Sequence, residues 1–145
     1  MNLHIHPDET KLGQTAGKEA AALLRTIISS RDSANLVIAT GTSQFSVLET
    51  LVSAPGIQWE KVTLFHLDEY VGISVAHKAS FRKYIQERFI SKVGKLAQTF
   101  LINGETILSD ECRRLNQAIS EHPTDLALVG IGENGHLAFN DPPAN

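Results

Sequence analysis

Residues 62–70 read VTLFHLDEY, a largely apolar run that passes directly into two carboxylates. A run that stays apolar, rather than alternating with polar residues, is typical of a strand buried on both faces of a parallel sheet. Similar runs occupy residues 36–39 and 126–129, and each leads into a polar or glycine-rich loop. Segments whose apolar residues repeat at helical spacing lie between these runs. The sequence therefore predicts an α/β fold: a doubly wound, mostly parallel, Rossmann-like sheet with helices on both faces.

Apolar residues repeated at helical spacing predict four helices, over residues 20–28, 45–52, 81–93 and 108–119. Asp8 is expected to cap the first helix, and Pro55 with the following glycine to end the second. Two further strands are predicted at Leu3–His6 and Thr99–Ile102. Cys112 falls in the fourth helical repeat, where it is expected to be a small buried apolar residue rather than a catalytic thiol.

The bulk properties predict one domain covering residues 1–145. A formal net charge of −3 argues against nucleic acid as the main partner, and still allows a phosphorylated ligand. The absence of a long apolar run argues against a membrane span. The first residues lack the pattern of a signal peptide, so a cytoplasmic location is predicted.

Ligands of open α/β sheets bind beyond the carboxyl ends of the strands, so the loops that follow the three apolar runs predict the site. The first loop, Thr40-Gly41-Thr42-Ser43, offers hydroxyls, backbone amides and the start of a helix, which together suit a phosphate group. Turn formation and helix capping would account for the same residues equally well. The loop lacks the spacing and the lysine of a Walker motif.

The other two loops carry acid–base groups. Asp68 follows its strand directly, where partial shielding from water would turn the carboxylate into a useful base. In the third loop, His136 lies five residues before Asp141, which could orient the imidazole. Gly132 and Gly135 suggest a backbone that approaches a ligand closely. A metal site formed by His66, Asp68 and His136 is the less favoured alternative, because no paired Cys/His spacing supports it.

Taken together, these motifs resemble the glucosamine-6-phosphate deaminase family. The resemblance rests on residues 65–72, on His77 with Ser80-Phe81, and on residues 130–142, with the phosphate loop as a weaker match. The related 6-phosphogluconolactonases typically have arginine where Tyr70 stands, and lack the tail that extends from Phe139 to Pro142. The resemblance therefore favours the deaminase over the lactonase.

The resemblance implies chemistry without a cofactor or a catalytic metal. His136, supported by Asp141, would assist opening of the sugar ring, and Asp68 would move a proton from C2 to C1 before ammonia leaves. The family often has aspartate at the position of Asn134, which contacts the histidine system, and glutamate at that of Asp141. These departures would tune ring opening or substrate choice, with galactosamine 6-phosphate as an alternative substrate.

The resemblance also bears on partners and on completeness. Family members continue beyond the position of Asn145, so the chain is expected to be truncated at its C-terminus and inactive alone. Homo-oligomers are common in the family, and a sugar phosphate is the expected partner. Similar folds also serve as sugar-phosphate sensors of transcription regulators. That alternative is disfavoured here, because no basic segment precedes the fold and a sensor would not need both Asp68 and His136.

Overall fold

The computed structural model describes residues 2–140. Within them, four strands form one sheet, in which every pair of neighbours is parallel and the order is β3-β2-β1-β4. The strands are β1 (Ala34–Ile38), β2 (Val62–His66), β3 (Gln98–Phe100) and β4 (Leu126–Leu128). Every residue of β2 is buried, as its uninterrupted apolar run predicts, whereas the edge strands β3 and β4 are partly exposed.

The helices also follow the predicted repeats. They are α1 (Glu9–Arg31), α2 (Phe45–Val52), α3 (Phe81–Ile85), α4 (Ser91–Val93) and α5 (Leu108–Glu121), with a π-helical segment, Gln86–Ile90, joining α3 to α4. Asp8 caps α1 as predicted, because its carboxylate accepts a hydrogen bond from the Lys11 amide at 2.7 Å. In the described part of the chain, no helix has the length and apolar character needed to cross a membrane.

Helices cover both faces of the sheet, which confirms the predicted fold class. The larger apolar core joins one face to α1, α2, α3 and the π-helical segment, through residues such as Leu24, Leu51 and Phe89. On the opposite face, Val37 and Phe65 of the sheet pack against Ala118 of α5. The side chains of Val37 and Phe65 point away from the larger core because successive strand residues alternate between faces.

Close packing of α1 on α2 helps to position the helix that follows the first candidate loop. Gly13 and Gly17 face α2, and a Cβ atom at Gly13 would lie 1.8 Å from the Ser46 hydroxyl oxygen. At Gly17 the nearest atoms would be those of Thr50 and the Val47 carbonyl, at 2.7 Å. The two glycines therefore allow the helices to approach closely, and this contact holds the start of α2 against the sheet.

The strand order creates a crevice at one edge of the sheet. The chain moves outward from β1 to β2 and β3, and then returns to place β4 on the other side of β1. In a doubly wound sheet, such a reversal separates the loops that follow the two strands and leaves room between them for a ligand. Thr40 follows β1 and Gly130 follows β4, so the two predicted loops border this crevice.

Two predictions from the sequence are wrong. Leu3–His6 forms no strand, and Leu3 and Ile5 are 77% and 86% exposed. A short apolar segment becomes a strand only where a partner supplies the ladder of hydrogen bonds, and none of β1 to β4 pairs with this segment. Cys112 is exposed rather than buried, because α5 turns Glu111 and Ala118 toward the protein instead.

Candidate active site

A cleft of about 190 Å³ lies at the carboxyl ends of β1, β2 and β4. Five of the predicted site residues line it: Thr40, Ser43, Asp68, Gly132 and His136. Its other lining residues are apolar or glycine: Ala39, Leu67, Phe81, Gly130, Ile131, Ala138 and Phe139. Side chains from three separate loops therefore meet at one small polar centre enclosed by apolar walls, which is the usual composition of a small-molecule site.

In the loop after β1, the hydroxyl-bearing residues Thr40 and Ser43 line the cleft. Gly41 has a φ of 120°, a conformation that favours glycine, and a 3₁₀ turn over Thr42–Gln44 leads into α2. The Tyr84 hydroxyl donates a hydrogen bond to the Gly41 carbonyl at 3.1 Å, which ties the loop to α3. Gly41 and Thr42 do not line the cleft, so they shape the loop while their neighbours face the ligand space.

Asp68 lies just beyond β2 and is half-buried. Burial raises the pKa of its carboxyl group, and the negative charge of the neighbouring Glu69 raises this pKa further. A carboxylate with a raised pKa is a stronger base than an exposed one. Asp68 therefore has the environment that the sequence predicts for a proton-transfer group.

The loop after β4 folds back on itself and presents His136. The Gly132 amide donates to the His136 carbonyl at 2.9 Å, and the Gly135 amide donates to the Gly132 carbonyl at 2.9 Å. Gly135 has a φ of 84°, which favours glycine in the tight turn. Gly135 and Asn134 lie outside the cleft lining, so they support His136 from behind.

Asn134 orients the imidazole of His136. Its Oδ1 atom accepts a hydrogen bond from the His136 amide at 3.2 Å and closely faces the ring nitrogen Nδ1. An amide oxygen can only accept a hydrogen bond, so this contact fits the ring tautomer that carries its proton on Nδ1. The predicted supporting residue Asp141 lies outside the described residues.

Gly132 also makes room for the imidazole. A Cβ atom at this position would lie 2.2 Å from Cε1 of His136, 2.5 Å from Nδ1 and 2.6 Å from Nε2. The ring therefore packs against a backbone that only glycine can provide. The sequence predicts a close approach at this position, and in the structure the approach is to the catalytic candidate itself.

Sequence reasoning missed an aromatic group that connects two of the loops. The ring of Tyr70 lies 5.1 Å from Phe81 and 5.1 Å from Phe139, and the rings of Phe81 and Phe139 are 5.9 Å apart. Phe81 and Phe139 also line the cleft beside Asp68 and His136. Three aromatic residues distributed over 70 positions carry no local signal, since only the fold brings them together.

His66 contributes to the structure rather than to the cleft. It is buried, and its Nε2 atom accepts a hydrogen bond from the Ile102 amide at 2.9 Å. Burial lowers the pKa of His66 to about 4, so the ring is neutral at neutral pH. Among residues 2–140, no three His, Cys, Asp or Glu side chains converge as ligands for a metal ion.

The chain is similar to known sugar-phosphate enzymes. The family model for glucosamine-6-phosphate isomerases and 6-phosphogluconolactonases matches residues 7–139. A glucosamine-6-phosphate deaminase from Listeria monocytogenes serotype 4a is 36% identical over 135 residues, which are 92% of this chain and 56% of the relative. One from Streptococcus pyogenes serotype M1 is 35% identical over 127 residues, which are 87% of this chain and 53% of the relative. The chain thus spans about half the length of the curated relatives it matches.

Solved structures agree with this assignment. The structure of a monomeric glucosamine-6-phosphate deaminase matches with a TM-score of 0.86 and 29% identity, over 100% of this chain and 61% of that one. A 6-phosphogluconolactonase from Thermotoga maritima matches with a TM-score of 0.83 and 19% identity, over 94% and 62% respectively, which supports the fold alone. With a family model covering nearly all of the described residues, the chain belongs to the glucosamine-6-phosphate isomerase/6-phosphogluconolactonase family.

Proposed function

We propose that residues 1–145 belong to a single sugar-phosphate isomerase domain, and that the protein containing this domain deaminates an amino sugar 6-phosphate to a ketose 6-phosphate and ammonia. Glucosamine 6-phosphate is the preferred candidate substrate, and galactosamine 6-phosphate is its epimeric alternative. The observation that carries the proposal is that Asp68 and His136 line the same small cleft as the hydroxyl loop Thr40–Ser43. The relatives named glucosamine-6-phosphate deaminase, at 36% and 35% identity, favour this reaction over lactone hydrolysis.

In the proposed mechanism, His136 opens the sugar ring. Nε2 takes the proton of the anomeric hydroxyl and returns a proton to the ring oxygen as the C1–O5 bond breaks, which leaves an open-chain aldehyde. Asn134 holds the ring from the Nδ1 side, which assigns the proposed exchange to Nε2. An imidazole suits both directions of the transfer, because it can accept a proton at one nitrogen and donate it again.

Asp68 then moves one proton between neighbouring carbons. Its carboxylate removes the proton from C2, which the adjacent aldehyde acidifies, and the aldehyde oxygen takes a proton from the substrate's own ammonium group, so that an enolamine forms. The resulting carboxylic acid returns the proton to C1, and this gives a ketose imine. Water adds to C2 of the imine, the C–N bond breaks, and ammonia and the ketose phosphate leave. The apolar walls keep Asp68 shielded, so its carboxylate stays basic enough for the first step.

The loop Thr40–Ser43 is proposed to hold the phosphate group. Its two cleft-facing hydroxyls and the backbone amides at the start of α2 are the donors that a phosphate accepts. Binding the phosphate there would place the carbon chain between Asp68 and His136, since all four side chains face the same cleft. No cofactor takes part in the proposed steps.

The test measures ammonia release from glucosamine 6-phosphate and galactosamine 6-phosphate by the chain, by a longer natural form that contains it, and by the Asp68→Asn variant of each. Ammonia release should fall by about 100-fold or more in Asp68→Asn, since a positioned general base contributes about 10² to 10⁴ to the rate. Asp110→Asn is the matched control, because it makes the same change at an exposed residue of α5 outside the cleft. The preferred epimer identifies the substrate.

A second measurement separates deamination from its alternatives. In deuterated water, the proposed proton transfer exchanges hydrogen at the reacting carbon, even when release of ammonia is slow. If neither hydrogen exchange nor ammonia release is detected and 6-phosphogluconolactone is hydrolysed, a lactonase function replaces the proposal. Binding of the amino sugar phosphate without either reaction would instead point to a sensor.

A further inference from the structure

The carboxylate next to Asp68 is buried and fully engaged. The side chain of Glu69 has no exposed surface. Its Oε1 atom accepts hydrogen bonds from the amides of Tyr70 at 3.0 Å and Phe81 at 3.1 Å. Its Oε2 atom accepts from the Ser80 hydroxyl at 2.9 Å and the Arg82 amide at 2.9 Å. Four donors around one carboxylate make Glu69 a fixed point of the structure rather than a group that exchanges protons with a substrate.

These hydrogen bonds close the loop that carries Asp68 onto the start of α3. Ser80 is the N-terminal cap of α3, and its hydroxyl oxygen also accepts from the Lys83 amide at 3.3 Å. Glu69 therefore satisfies backbone donors that the first turn of a helix would otherwise leave unpaired. Since Asp68 precedes Glu69 directly and Phe81 lines the cleft, this single side chain links the candidate base to a wall of its own site.

The guanidinium of Arg82 lies beside the Glu69 carboxylate and is itself held by several acceptors. Its guanidinium donates to Asn103 Oδ1 at 2.8 Å, to Glu105 Oε2 at 2.6 Å and to the Ile73 carbonyl at 3.1 Å. Its Nε atom lies 3.9 Å from Oε2 of Glu69. The Arg82 side chain is only 10% exposed, so this ion pair stays in place without competition from water.

Hydrogen bonding keeps Glu69 charged despite its burial. Burial pushes the pKa of Glu69 upward, but the amides of Arg82, Tyr70 and Phe81 and the hydroxyl of Ser80 outweigh this effect and hold it below its usual range. The ionised carboxylate then acts on Asp68 as a permanent neighbouring charge. The other charges around Glu69 are Arg82, Glu105 and Glu111, while His66 is neutral.

We propose that Glu69 is the positioning residue for Asp68: it fixes the backbone of the candidate base against α3 and places a second, ionised carboxylate directly beside it. The role rests on the proposed function of Asp68, and it acts through Asp68 without contact with the substrate. It assigns the second carboxylate of the Asp68-Glu69 pair a task distinct from that of the first.

Glu69→Gln tests the proposal, because the amide keeps the size of the side chain, removes its charge and places a donor against two existing donors. The matched control is Glu105→Gln, which removes a carboxylate from the same Arg82 at an exposed position. The first readout is the titration of the Asp68 carboxyl, followed by carbon-13 NMR, which needs no turnover. We expect its midpoint to fall in Glu69→Gln and to stay in place in Glu105→Gln. Equal midpoints in both variants would overturn the proposal.

The second readout applies where Asp68→Asn has established deaminase activity. Glu69→Gln should lower kcat by about 100-fold with a nearly unchanged KM, since displacement of a reacting group by about 1 Å costs about that factor. Ser80→Ala removes one donor and keeps the charge, so it should lower kcat less, and it serves where Glu69→Gln does not fold. A kcat in Ser80→Ala equal to that of the unchanged chain would refute the positioning role. Absence of deaminase activity in a longer natural form fails the proposed function, while the NMR titration still decides the role of Glu69.

Discussion

Replacement of Gly132 by alanine should reduce activity strongly and stability little. The new Cβ atom would lie 2.2 Å from Cε1 of His136, whereas ordinary contacts begin at 3.4 Å, so the imidazole must move by about 1 Å. Gly132 has no positive φ, so alanine strains the backbone little. The atoms in the way belong to the end of a movable side chain in a partly exposed loop, and their displacement should cost less than about 1 kcal/mol of folding free energy.

The catalytic effect should be much larger. A shift of about 1 Å in a group that must exchange protons at a defined carbon or oxygen lowers the rate by about 100-fold. Ammonia release from glucosamine 6-phosphate measures kcat and KM, and thermal unfolding of the same samples measures stability. We expect the loss to fall mainly on kcat.

Gly94→Ala supplies the opposite pattern as a control. Gly94 has a φ of 78° and a ψ of −143°, a region nearly restricted to glycine, so alanine there should cost about 1 to 3 kcal/mol. Gly94 is exposed and lies before β3, far along the chain from the cleft loops, so activity should persist below the melting temperature. Full activity in Gly132→Ala would refute the inference that glycine is needed there to place His136.

Three further outcomes follow from buried charges. Asp68→Asn should raise the melting temperature at pH 7. Folding raises the pKa of the Asp68 carboxyl, so the folded protein becomes less stable as the pH rises through that pKa, and asparagine removes this loss. Glu69→Ala should destabilise the fold by about 3 kcal/mol in urea unfolding at pH 7, because the donors around the carboxylate lose their acceptor; the loss should shrink as the pH falls through the lowered pKa of Glu69. For His66, whose pKa is lowered from 6.5 to about 4, the unfolded chain binds the proton first, so stability should drop by roughly 3 kcal/mol as the pH falls from 6.5 to about 4. His66→Gln should flatten that part of the pH profile, and an unchanged slope would show that other groups cause it.

Much of the site could be predicted because its residues follow directly after recognisable strands. The parallel sheet brings the carboxyl ends of its strands to one edge, so Thr40, Asp68 and His136 had to meet there once the strands were identified. The parts that could not be predicted depend on contacts between distant segments. Glu69 is adjacent to Asp68 in sequence, but its four donors include three from residues 80–82. Nothing local distinguishes it from an exposed acid at a strand end.

The two incorrect predictions have related causes. Leu3–His6 has a pattern compatible with a strand, but a strand exists only when another strand pairs with it. Cys112 follows the apolar spacing of α5, but the carboxylate of Glu111 accepts the Asn103 amide at 2.6 Å and pairs with Arg114, which turns this polar residue inward. In both cases the decisive partner lies elsewhere in the chain.

The sequence by itself determined the helical periods, the Asp8 cap and the buried strands, and it predicted the acid–base candidates, because these depend on side chains within a few positions of each other. Only the tertiary structure decided the order β3-β2-β1-β4, the packing of His136 on Gly132, the aromatic group of Tyr70, Phe81 and Phe139, and the burial of Glu69. Each of those features joins residues that the chain separates. Their relative placement follows from the free energy of the whole core rather than from any local preference.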